Sequence, residues 1–174
     1  MLFPGLYMRL ARRTCERYCT GMDRDLAYIK ALAAAVRGAD LASVDQVAIV
    51  RRRLPPGDRD DVADPLGPAP GPREITEVPP DLRAALEESR SQDIEALETT
   101  VSRWSRMQEQ TREGLAHIDR QLGQGRRGSM TPTFDWLWER VKSMRTAVVY
   151  AEQIAGPYRP HVSRRDFGLR QKNP

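Results

Sequence analysis

One run of residues constrains this chain more than any other. Ile94, Leu97, Val101, Trp104, Gln108, Thr111, Leu115, Ile118 and Leu122 alternate at spacings of three and four. That is the a/d seam of a helix over about four heptads, with two polar positions in its middle. Polar residues there weaken a seam and fix its register. Asp81 is placed to cap this helix, and Gly123, Gly125 and Gly128 end it. Thr131 or Thr133 then starts another, with Pro132 in its first turn. Its seam is Phe134, Leu137, Val141, Met144, Val148, Ala151 and Ala155. Two helices joined by a short glycine-rich turn predict a long helical hairpin over 81–155. Trp136 and Trp138 fall off the second seam. They either meet a third body, as interface tryptophans do, or cover the hairpin's own flank.

The upstream spacing points to the same class. A first helix from about Leu6 to Thr20 is expected to break at Gly21. A second, from about Asp23 to Arg37, carries Leu26, Ile29, Ala33 and Val36 on one stripe and stops at Gly38. Asp40 is placed to cap a third, with Leu41, Val44, Val47, Ala48 and Leu54 on its apolar side. Arg51, Arg52 and Arg53 suit its C-terminus, where the helix dipole favours cations. Residues 1–54 thus read as a three-helix unit. Eight of the thirteen prolines fall within 55–80, beside the acidic cluster Asp58, Asp60, Asp61 and Asp64. Proline lacks the amide hydrogen and disfavours helix in the residue before it, so this stretch is a linker, either a flexible spacer or extended chain lying along a partner. Residues 156–174 show no period and read as a basic extended tail. The fold class is all-α.

Composition bears on how such helices bury their stripes. Aromatic residues make up 6% and charged residues 30% of the chain, which predicts a core completed by partners rather than a large self-sufficient one. The net charge of +4 is unevenly spread. Residues 1–53 carry ten basic and five acidic side chains, 54–155 carry thirteen and eighteen, and 156–174 carry five and one. Basic ends flanking an acidic middle suit an acidic protein surface or an anionic membrane surface. Basic and aromatic residues do not interleave, which argues against nucleic acid. The longest purely apolar run, Ala31 to Val36, falls far short of the roughly 18–20 residues of a membrane span. The first fifteen residues hold Arg9, Arg12 and Arg13 and no acid, in the manner either of a mitochondrial targeting segment or of an ordinary amphipathic helix.

The residues offer no catalytic constellation. Cys15 and Cys19 share a helical face, but His117 and His161 are far from them in sequence, so two reduced cysteines packed as small hydrophobes is the expectation. Glu87 and Glu88 are adjacent and point to different sides of a helix. Gly123, Gly125 and Gly128 follow a helix rather than a strand and make a turn, not a phosphate loop. The chain is expected to be non-enzymatic and to bind no metal.

Leu6, Tyr7, Met8 and Arg9, within the run LYMRLARRTCERYC, resemble the Leu-Tyr-Arg signature that opens a family of small three-helix mitochondrial proteins. Met8 takes the third position and Arg9 follows it. Together with Glu16, Tyr18 and Cys19, the run is similar to the start of the accessory subunit of that type in the membrane arm of respiratory complex I. The resemblance covers about residues 5–53. It implies a non-catalytic accessory subunit on the matrix side of the mitochondrial inner membrane, held by other subunits of the complex. It implies docking of mitochondrial acyl carrier protein, whose acyl-phosphopantetheine would insert among the helices. Leu6, Tyr7 and Arg9 would meet the carrier, with Arg12 and Arg13 as auxiliary cations, and Ala31, Ala33, Ala34 and Ala35 would leave room for the acyl chain. A second resemblance, over residues 78–161, is to the peripheral-stalk subunit d of mitochondrial ATP synthase. It rests on Val78-Pro79, Trp104, Met130-Thr131 and the run from Pro157 to His161. A coiled-coil adaptor outside mitochondria stays open beside both.

Overall fold

The computed structural model describes residues 4–59, 78–123 and 131–168. The side chains of 4–12, 14–16, 18, 121–123, 131–135 and 137–138 lie outside that description. The architecture is all-α. Helix α1 spans Pro4–Arg37, α2 Gln46–Arg53, α3 Pro80–Gly123 and α4 Thr131–Ala155, with short 3-10 turns at Leu41–Ser43, Gly156–Tyr158 and Arg164–Phe167.

The segment 1–54 departs from the three-helix expectation. Helix α1 runs through Gly21 without a break. A glycine inside a helix costs about 1 kcal/mol relative to alanine, a local preference that packing overrides. Here Cys19 packs against the core before Gly21, and Met22 and Leu26 are buried just after it. The third helix is also smaller than its stripe suggests. Asp40 caps only the 3-10 turn, its Oδ1 accepting from Ala42 N at 3.1 Å. Asp45 caps α2, accepting from Ala48 N at 3.0 Å.

Helices α1, α3 and α4 form a bundle around one core. Pairings of Asp23 with Arg112 and of Arg37 with Glu98 run α1 antiparallel to α3. Trp136 lies against Gly114, at the far end of the α3–α4 pair. The predicted stripes face inward: Leu26, Ile29, Ala33 and Val36 are all buried, as are Leu97, Trp104, Leu115 and Ile118 on α3 and Met144, Val148, Ala151 and Ala155 on α4. The polar seam positions Gln108 and Thr111 are buried too. Thr111 Oγ1 donates to Met107 O at 2.7 Å, and Gln108 Nε2 donates to Asp23 on α1, so each has a partner. The expectation that other chains must complete the core is thus corrected, because α1 lies along the hairpin and covers its seam. Few aromatics suffice because Trp104 is fully enclosed and Tyr28 and Tyr158 add their rings. Burying a side chain the size of Leu97 contributes about 1.5–3 kcal/mol.

Two boundaries shift. Helix α3 starts at Pro80, one residue before the expected cap, with Pro79 O accepting from Arg83 N at 2.8 Å. Proline suits a first turn because its missing N–H would have had no partner there. Asp81 instead sits within that turn. Most of the linker, 60–77, falls outside the described residues. The tail is not an extended arm: its described part folds back on the bundle. Pro157 and Tyr158 are buried, and the Phe167 ring packs at a tilt of 58° against Tyr28 with centroids 5.6 Å apart.

Candidate docking surface

Two carboxylates, one buried and one half-buried, organise the polar chemistry. Asp93 is on α3, and its Oδ2 accepts from Arg52 Nη2 on α2 at 2.5 Å and from the Tyr158 hydroxyl at 2.6 Å. Arg52 also donates through Nη1 to Ile154 O at 2.7 Å, at the carbonyl end of α4. Those carbonyls have no partner further along the helix, and a cation suits the negative end of its dipole. Burial raises the Tyr158 phenol above its ordinary range, and its hydrogen bond to Asp93 adds to that. The second carboxylate, Glu152 on α4, takes both Nε and Nη2 of Arg164, the latter at 2.5 Å, and the Tyr28 hydroxyl at 2.9 Å. Tyr28 is pushed up to about 12 by burial first and by Glu152 second. Asp25 stands in the same neighbourhood. Burial pushes its carboxyl up to about 6, against the opposing pull of Arg164 and Arg145.

Asp93 and Glu152 are paired inside the chain and hold its elements together. They do not converge on an open site. His117 and His161 are exposed and lie on different elements. Among the described residues no group of three or more histidine, cysteine, aspartate or glutamate side chains could hold a metal ion. No described helix is long and apolar enough to cross a membrane. Cys19 is a free, half-buried thiol packed against the core.

One candidate surface is the outer side of α1. Arg13, Arg17, Thr20, Gly21 and Arg24 line a shallow groove of about 500 Å³. Positions 13, 17, 20 and 24 recur at helical spacing and so share one face. That face is opposite the stripe of Met22, Ile29, Ala33 and Val36 that enters the core. Arg13, Arg17 and Arg24 are exposed, and none makes an ion pair with a described residue. The tail borders the groove: a Cβ on Gly168, which has φ 65°, would stand 3.0 Å from the Arg24 Nη1.

Of the residues singled out in the sequence, Arg13 lies in this groove. Leu6, Tyr7, Arg9 and Arg12 belong to α1, but their side chains fall outside the described residues. Arg17 and Arg24 were missed, although the period that reveals apolar stripes also reveals this basic one. Trp136 is half-buried and reaches α3, where a Cβ on Gly114 would stand 2.9 Å from its ring, and the Arg140 guanidinium lies 5.2 Å from its ring centroid. It covers the hairpin's own flank. The side chain of Trp138 falls outside the described residues. Ala31, Ala33, Ala34 and Ala35 do not form one small-residue face: Ala33 is in the core, Ala34 is exposed and the other two are half-buried. No family model, curated protein or solved structure matches the chain.

Proposed function

We propose that this protein is a non-catalytic docking subunit of a larger assembly, binding an acidic protein through the basic outer face of α1. The arginine stripe of Arg13, Arg17 and Arg24 carries this reading. Three exposed guanidiniums share one helix face, make no ion pair with a described residue, and are backed by a closed core. Complementary charge steers such docking and fixes its register. The resemblance at Leu6–Arg9 supplies the finer form of the proposal. The assembly is then a respiratory complex of the mitochondrial inner membrane, of the complex I type, and the acidic partner is acyl carrier protein. The alanines of α1 lend no support to an acyl chain inserted beside them, so the proposal rests on surface charge alone.

The test is affinity purification of the tagged full chain from mitochondria in mild detergent, followed by mass spectrometry. Respiratory-complex subunits and acyl carrier protein should be recovered with the wild type. Triple reversal of Arg13, Arg17 and Arg24 to Glu should release the carrier while leaving the helical circular dichroism unchanged. Equal carrier recovery from wild type and variant overturns the role given to the stripe. Recovery of neither carrier nor complex overturns the assignment to the assembly.

A further inference from the structure

A second surface lies on the other side of the bundle. Helices α3 and α4 leave a groove of about 750 Å³ between them, and none of its lining residues comes from α1. Its floor is small: Ala96, Thr100 and Ala147. Small residues let another helix come close. Tyr150, which lines it, and Val149, the residue before Tyr150 on α4, are two of the three large apolar side chains exposed among the described residues.

The charges along this face single out its occupant. Glu95, Thr99 and Arg103 line the groove at spacings of four and share one side of α3. Glu95 and Arg103 are exposed, and neither makes an ion pair with a described residue. Thr99 is midway between them. A two-fold axis through Thr99 therefore lays α3 of a second copy antiparallel on the first, with Glu95 of each opposite Arg103 of the other. The rest of α3 agrees: residues 80–98 carry six acidic and two basic side chains, and 99–123 carry four basic and three acidic. Antiparallel alignment sets the acidic half against the basic half. A parallel alignment would set Glu95 on Glu95 and Arg103 on Arg103, which repels.

We infer that the α3–α4 face is an isologous interface that takes a second copy of this chain, antiparallel, with its axis at Thr99. Symmetric self-association of this kind uses one patch twice, which is what a self-complementary charge pattern provides. The surface is separate from the arginine stripe of α1, so a dimer keeps both stripes available, and the inference stands or falls independently of the docking proposal.

Sedimentation of the full chain over a concentration series tests it. The wild type should show a monomer–dimer equilibrium. Glu95→Arg alone and Arg103→Glu alone should each weaken the dimer about tenfold, since each turns two attractive pairs repulsive. Carrying both changes should restore association, because the pairs re-form with signs exchanged. Thr99→Cys in a Cys15→Ser, Cys19→Ser background should give a disulfide-linked dimer under mild oxidation. A monomer at every concentration, single reversals that leave association unchanged, or a double reversal no better than the singles overturns the inference. So does a folded wild type that associates while Thr99→Cys fails to cross-link.

Discussion

The protein uses one device twice, and the two copies differ in depth. Asp93 and Glu152 are each held by one arginine and one tyrosine. At Asp93 these are Arg52 and Tyr158, and at Glu152 they are Arg164 and Tyr28. Each site ties the C-terminal segment to the bundle. The Asp93 side chain is 11% exposed, whereas that of Glu152 is 30% exposed. A charge deep in the fold loses most of its hydration, so its partners must replace water almost completely. A charge near the surface keeps water as an alternative. The same set of groups is thus indispensable at one site and supportive at the other.

That contrast breaks most clearly at Asp93. Asp93→Ala leaves the Arg52 guanidinium with only the carbonyls at the end of α4 and takes the carboxylate from the buried Tyr158 hydroxyl, and we expect a loss of about 3 kcal/mol in urea unfolding. A loss no larger than that of Glu152→Ala would abolish the distinction. Tyr158→Phe keeps the ion pair and removes one hydrogen bond to a charged group, a loss of about 1.5 kcal/mol. Glu152→Ala should cost about 1 kcal/mol, part of it recovered as Arg164 turns to solvent. It should also increase hydrogen exchange over 163–168, and tail protection equal to that of the wild type would contradict the bridge's role. The smallest effect sharpens the shallow site through pH. The Asp25 carboxyl is raised from 3.8 to about 6, so the folded state holds its proton more tightly than the unfolded state. Stability from this group is fully present below pH 3.8 and is lost as pH rises through 6. Asp25→Asn should therefore melt above the wild type at pH 7.5, with the gap closing towards pH 4. A gap independent of pH would mean that Asp25 does not titrate in that window.

Periodicity made the bundle legible and little else. The stripes on α1, α3 and α4 are local: spacings of three and four identify the buried side whatever covers it. The fate of Gly21 was not legible, because whether a glycine ends a helix depends on the packing around Cys19 and Met22. The tail was misread for a related reason. Tyr158 and Phe167 follow no period, and their seats belong to Asp93 and Tyr28, residues distant in sequence that only the tertiary fold brings near. The seam of α3 also continues upstream of Ile94 through Leu86, Ser89 and Asp93, all buried. A serine and an aspartate there hide it from a search for apolar residues. The basic groove was half legible: Arg13 came from the motif, while Arg17 and Arg24 required applying helical spacing to cations.

The closure of Asp93 by Tyr158 sets the timetable of maturation. During synthesis Arg52 and Asp93 leave the ribosome long before the phenol that completes their site. Until residue 158 has emerged, an acid destined for the interior lacks one of its two donors. Products cut short anywhere in α4 would carry that deficit permanently and should be cleaved by proteases sooner than a chain that includes Tyr158.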